Sequence, residues 1–229
     1  MYKKIKKIIA IVLALSLTIG TWDLTDGTIA YAQEGNMSGA AVLTIQERIE
    51  YKGIDLSTTQ FDESRMNYKE KELYNLLLEK EYEKQKNSLE EKGISKAEFI
   101  SEVKSYLYGE YSFDSEGVVS LRATRLISVE ALGSALNVVI TAALIATGVG
   151  SIGELVKKLG KEGAKKWVKK HLSDKIAGVL AKIGAAKLGT WIGAFVVAIV
   201  DTYLDPGTFL ARKFDSVDAV PNSGYIELW

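Results

Sequence analysis

The chain has 229 residues, and its 29 Lys and Arg balance its 29 Asp and Glu, so the formal net charge is zero at pH 7. Hydrophobic residues make up 47% and charged residues 25%, which is typical of a folded protein and not of a disordered one. The absence of cysteine excludes a disulfide framework, so the fold depends on packing alone or on ordering upon a target.

The first 32 residues have the three-part layout of a secretory signal peptide. Residues 1–7 carry four lysines, residues 8–20 are apolar, and Ala30 and Ala32 flank Tyr31 as a cleavage site. As a helix the apolar stretch spans about 20 Å, which is short of a bilayer core of about 30 Å. The pattern predicts cleavage after Ala32 and an extracellular protein, free or membrane-associated. A short uncleaved anchor is the alternative.

Charge divides the predicted mature chain into two parts. Residues 33–117 carry 11 Lys and Arg against 18 Asp and Glu, a net charge of −7, whereas residues 118–229 carry 14 against 9, a net charge of +5. We interpret this asymmetry as an organisational signal. Within these two parts we predict four segments, which are an acidic helical module (33–117), a linker (118–127), a cationic helical bundle (128–204) and a C-terminal tail (205–229).

The acidic module has the pattern of a helical hairpin. Residues 62–92 lack glycine and proline, and their apolar positions recur at steps of three and four residues. Gly93 fits a left-handed helix cap, and Ser95 with Glu98 forms a capping box for a second helix. The charges of this module are either a solvated face or a partner for the basic part, in this chain or in another protein.

The basic part predicts three helices. Residues 131–153 contain no charge and follow Ser128, a candidate N-cap. Ser151 begins a second helix, and Ser173 with Asp174 begins a third that runs to about residue 201. The predicted fold class is therefore all-α, a helical hairpin plus a glycine-rich cationic bundle with a short extended C-terminal tail.

The second of these helices is strongly cationic. Residues 154–172 carry seven lysines and two acids, arranged around an apolar stripe, and Trp167 is placed as an interfacial anchor. Near an anionic leaflet each lysine contributes about 1 kcal/mol. The alternative is the polar face of a soluble bundle. The predicted membrane-binding residues are Lys157, Lys158, Lys161, Lys165, Lys166, Trp167, Lys169 and Lys170.

Small residues recur every fourth position in the predicted third helix. They are Ala177, Ala181, Ala185, Gly189 and Gly193, and the two glycines form a GxxxG motif. Such a stripe lets helix backbones approach closely, either in lipid or in a soluble core. We therefore predict a helix-packing role for Ala181, Ala185, Gly189 and Gly193.

Sequence motifs for catalysis are missing. The chain has one histidine, His171, and it has no Ser/His/Asp order, metal-ligand spacing, P-loop or dinucleotide fingerprint. We expect a protein that is not an enzyme and that uses no cofactor and no metal. Nucleic acid is not an expected partner, because export separates the chain from it.

Residues 132–200 resemble the enterocin-type circular bacteriocins and their saposin-like relatives. The resemblance rests on the apolar run 136–139, the glycine-rich run 146–151 and the lysine-dense helix that ends near Lys170. It implies a compact helical bundle with a cationic patch that permeabilises bacterial membranes. The leader, the acidic module and the long tail distinguish this chain from those peptides.

We therefore expect a secreted membrane-interacting protein, bacteriocin-like or a pore-forming toxin, that binds anionic lipid through the lysine-rich helix and inserts its apolar helices. Self-association and a cognate immunity protein are further candidate interactions. One alternative is a soluble secreted helical module that binds a protein or an anionic cell-wall polymer. Another is an integral membrane protein with one or two spans, of which residues 131–153 are the first.

Overall fold

The computed structural model describes residues 43–109, 126–202 and 204–227. The predicted cleavage site at Ala30 and Ala32 and nearly all of the predicted linker lie outside these residues. The described α-helices are α1 (Ile45–Glu50), α2 (Tyr68–Glu91), α3 (Lys96–Tyr108), α4 (Val129–Ala146), α5 (Ile152–Lys182), α6 (Ile192–Ala198) and α7 (Pro206–Asp215).

Short 3-10 helices lie at Leu56–Thr59, Glu63–Arg65 and Ala186–Trp191. Strand β1 (Leu126–Ser128) pairs antiparallel with β2 (Tyr225–Glu227), and Ile127 lies opposite Ile226. This small sheet ties the start of α4 to the C-terminal part of the chain. The predicted all-α fold class is confirmed.

Helices α2 and α3 form the predicted hairpin. Asn67 caps α2 in a capping box with Glu70, and Ser95 caps α3 in the same way with Glu98. Gly93 supplies the turn between them in the left-handed conformation, with φ of +72°.

Helix α4 lies at the centre of the fold. Ser128 caps it by accepting a hydrogen bond from the backbone of Ala131, as predicted. Residues 131–145 are all buried, and α2, α3, α5, α7 and the first 3-10 helix contact this helix. A helix that is apolar on every side is shielded from water only when other elements surround it.

Helices α5 and α6 depart from the predicted boundaries. Helix α5 starts after the Ser151 cap as predicted, but it runs through Ser173 and Asp174 and ends only at Lys182. The predicted helix start at Ser173 is therefore wrong. The reason is that the buried stripe of α5 continues past Ser173 at helical spacing, through Ile176 and then Val179 and Leu180.

Both charge halves contribute to one hydrophobic core. Leu73 and Leu77 of α2 and Phe99 of α3 belong to the same cluster of buried side chains as Leu136 of α4 and Phe214 of α7. The acidic helices therefore cover the central apolar helix. The residues at which the chain would divide into modules fall mostly outside the described part, so the predicted boundaries stay predictions.

Candidate membrane interface

The predicted lysine face lies on the outer surface of α5. Six of its seven lysines are exposed, and Lys165 is half-buried. Ala164, Val168 and Leu172 occupy the opposite, buried side of the helix. The amphipathic pattern thus turns a dense row of ammonium groups towards solvent. The exposed lysines are Lys157, Lys158, Lys161, Lys166, Lys169 and Lys170.

A kink at Gly160 divides this face. Gly160 has φ of 70° and ψ of 165°, a backbone conformation that glycine adopts without a side-chain clash. Leu159, the residue before the kink, is 43% exposed, although sequence periodicity placed it in the buried stripe with Leu155. The sequence prediction treated the helix as straight and did not contain the kink.

Two of the lysines are partly neutralised within the basic half. Lys161 Nζ lies 2.6 Å from Asp201 Oδ1, and Lys165 Nζ lies 3.1 Å from Glu162 Oε1. The hydrogen bond and charge of Lys161 hold the pKa of Asp201 below its usual range. Lys166, Lys169 and Lys170 make no ion pair among the described residues. Their charge is therefore available to an anionic surface.

Trp167 is half-buried and packs against the core. Its ring stacks on the imidazole of His171, with centroids 4.7 Å apart and planes inclined by 25°. The pair fixes an aromatic surface beside Lys166 and Lys170. Its position agrees with an anchor at the edge of a contact surface, and its membrane role stays a prediction.

A more exposed aromatic pair lies on the next segment, which sequence analysis did not single out. Trp191 is 47% exposed and stacks on Phe195 of α6, with ring centroids 5.9 Å apart. Because Asp201 contacts Lys161, the segment after α5 folds back along the cationic helix. An available signal was the large indole in a segment whose sole charge is Lys187.

The small-residue stripe does not lie along one helix. The chain turns between α5 and the following 3-10 helix, where Gly184 has φ of +80°, so Ala181 and Gly189 belong to different elements. Ala185 is buried, whereas Gly193 is exposed. A methyl group added at Gly189 or Gly193 would have no atom within 4 Å. The single-helix prediction is wrong, and packing of these positions against lipid or a partner stays a prediction.

Helix α4 is the described helix that is long and apolar enough to cross a membrane. It has 18 residues, and 89% of them are buried inside the protein. A buried core helix and a membrane span share this length and this apolar composition.

The described residues contain no group of three or more His, Cys, Asp or Glu side chains that could hold a metal ion.

Comparison with protein-family models, curated proteins and solved structures finds no match to this chain. The geometry of α4, α5 and α6 is therefore the basis for assigning a function.

Proposed function

We propose that this is a secreted membrane-interacting protein of the bacteriocin-like or pore-forming class. The observation that carries the proposal is the face of α5, where Lys166, Lys169 and Lys170 are exposed and make no ion pair among the described residues. A surface of this kind attracts anionic lipid headgroups, each lysine contributing about 1 kcal/mol close to the leaflet.

The neighbouring elements provide apolar groups for a second stage. Trp191 and Leu159 are large apolar side chains exposed on the same α5–α6 hairpin. Amphipathic aromatic rings favour the membrane–water interface, so these side chains enter the headgroup region once the lysines have brought the hairpin there.

Helix α4 provides the span. With 18 residues it is about 27 Å long, close to the thickness of a hydrocarbon core. In the folded protein the surrounding helices cover it, so insertion requires them to separate from it. The proposed order is electrostatic binding, shallow aromatic insertion and then exposure of α4 to lipid.

A second candidate is a soluble helical module that binds an anionic cell-wall polymer or a protein. The burial of 89% of the α4 residues favours it, because a closed core needs no lipid. In this case the lysine face binds its polyanion and the core stays intact. The two candidates differ in whether bound protein disrupts a bilayer.

The test uses a triple variant and a matched control. Lys166→Gln with Lys169→Gln and Lys170→Gln removes three charges from the face, and Lys69→Gln with Lys71→Gln and Lys86→Gln removes three from α2. We expect the first variant to lose about 10- to 100-fold in affinity for anionic vesicles and the control to change little. Sedimentation with anionic and neutral vesicles measures binding, and release of a trapped dye measures disruption.

Binding should also weaken as salt rises, because exposed charges are screened within about 10 Å at 0.1 M salt. Equal loss of binding in the two triple variants would overturn the assignment of the face. Salt-sensitive binding to anionic vesicles without dye release would favour the polymer-binding module instead.

A further inference from the structure

A cluster of buried and half-buried polar side chains contacts the middle of α4. We call Glu81, Lys84, Asn137 and Asp205 the polar clasp. Asn137 Nδ2 donates to Glu81 Oε2 at 3.0 Å and to Asp205 Oδ1 at 2.8 Å, and its Oδ1 accepts a hydrogen bond from the backbone N–H of Gly207 at 2.7 Å. One buried amide of α4 is thereby bonded to both α2 and the start of α7.

The Lys84 ammonium faces both carboxylates. Lys84 Nζ lies 2.7 Å from Asp205 Oδ2 and 3.6 Å from Glu81 Oε2. Asn137 is fully buried and Glu81 is 1% exposed, whereas the side chains of Lys84 and Asp205 are 9% and 25% exposed, so the clasp runs from the core to its edge. Apolar helices need no such cluster for packing, and a buried polar network is costly when it is only partly satisfied.

The polar groups around Glu81 come from three elements, two of which contribute a charge. Lys84 lies on the same helix, Asp205 lies at the start of α7, and α4 contributes the neutral Asn137. Lys80, one residue before Glu81, forms a separate ion pair with Glu47 of α1 at 3.0 Å. Protonation of both carboxylates would leave the largely buried Lys84 ammonium without a counterion among the described residues, and an uncompensated buried charge is strongly destabilising.

We propose that the polar clasp is an acid-sensitive latch that holds the membrane-length helix α4 in the core and releases it when Glu81 and Asp205 become protonated. The latch rests on the proposed function, since it regulates the insertion step. Asn137 carries the link, because it bonds the same apolar helix to one element of the acidic half and one of the C-terminal part. Acidification then favours the state with α4 exposed.

The first arm of the test needs no lipid. Glu81→Gln with Asp205→Asn imitates the protonated clasp, and the asparagine retains the N-cap of α7. Glu63→Gln with Glu79→Gln is the matched control, since both glutamates pair with α3 lysines outside the core. We expect hydrogen exchange of the α4 amides to accelerate about 100-fold in the clasp variant at neutral pH, and little in the control.

The α3 amides are the internal reference. Acceleration in α4 that exceeds acceleration in α3 supports the latch, and equal acceleration in both helices overturns it. If the double variant is unfolded throughout, the wild-type protein is compared at about pH 7 and about pH 4. The readout is then the protection of the α4 amides relative to the α3 amides, each corrected for the intrinsic exchange rate at that pH.

The second arm measures insertion. The chain has no cysteine, so Ala146→Cys at the end of α4 accepts a single environment-sensitive fluorophore. With anionic vesicles we expect the probe to enter lipid at about pH 4 in the wild type, and already at about pH 7 in the clasp variant. The latch is overturned if the protein binds vesicles at neutral pH and the probe inserts to the same extent at both pH values in every variant. Failure of the wild type to bind vesicles at either pH overturns the proposed function, and the exchange arm still decides the latch.

Discussion

Gly133 and Gly193 are both helical glycines, but their surroundings are opposite. A methyl group added at Gly133 would lie 2.8 Å from Thr208 Cα, so α4 and the start of α7 touch backbone to backbone there. Gly193 faces open space. Sequence spacing marked the exposed glycine as the packing position, because a repeat of four residues does not reveal which side of a helix is covered.

This contrast predicts opposite effects of the same substitution. Gly133→Ala should lower the free energy of unfolding by about 1–3 kcal/mol, because the α7 backbone must move away. Gly193→Ala should raise it by up to about 1 kcal/mol, because alanine has the higher helix propensity. Urea unfolding of both variants measures the difference. A loss of stability in Gly193→Ala equal to that in Gly133→Ala would restore the predicted small-residue stripe.

At the scale of elements, local signals predicted three helix starts correctly and one wrongly. Ser95, Ser128 and Ser151 each cap the helix that the sequence assigned to them, because a capping hydrogen bond spans a few residues. Ser173 has the same local chemistry, but the packing of Leu172 and Ile176 on the core keeps the helix continuous. Tertiary packing, which a local pattern does not contain, decides between the two outcomes.

The candidate site could be predicted only in part, because a local pattern again does not contain tertiary contacts. The lysine face follows from helical periodicity and lies on one exposed surface. The polar clasp does not follow from any local pattern, since Asn137 is 56 residues from Glu81 and 68 residues from Asp205. The exposure of Trp191 could be predicted only with the turn at Gly184, a position that the sequence pattern assigned to a continuous helix.

Removing the ion pair between Lys161 of α5 and Asp201, which follows α6, should strengthen binding to anionic vesicles. Asp201→Asn removes the partner of Lys161, and the lysine face then gains one net positive charge. We expect affinity for anionic vesicles to rise by up to about fivefold, with thermal stability nearly unchanged because both side chains are exposed. Below the lowered pKa of Asp201 the wild type should approach the variant, since protonation removes the same charge.

The matched control is Asp174→Asn, which changes the charge of the chain equally and lies at an exposed position of α5. Vesicle titrations of the two variants at a single low salt concentration separate the effects. If Asp174→Asn strengthens binding as much as Asp201→Asn does, net charge and not the release of Lys161 controls affinity.

At the scale of the whole molecule, the two charge halves are joined mainly by apolar contact. Four ion pairs cross between residues 43–109 and 126–227, and in three of them the cation belongs to the acidic half. Lys175 with Asp55, at 3.4 Å, is the pair of the expected polarity. By contrast, Lys161 and Lys165 of the predicted lysine face contact Asp201 and Glu162 of their own half. Shielding of α4 by α2 and α3 therefore matters more than electrostatic masking of α5.

This distinction predicts how a nicked chain behaves. A specific protease site introduced within residues 112–120 allows cleavage between the halves, and the uncut protein is the control. We expect the two fragments to elute together after cleavage and to remain together in about 1 M salt, where the screening length is about 3 Å. They should separate only in denaturant, because α4 would otherwise expose its apolar surface. Size-exclusion chromatography and circular dichroism measure the outcome. Fragments that separate in salt would indicate electrostatic masking, and helical fragments that separate in plain buffer would indicate two independent modules.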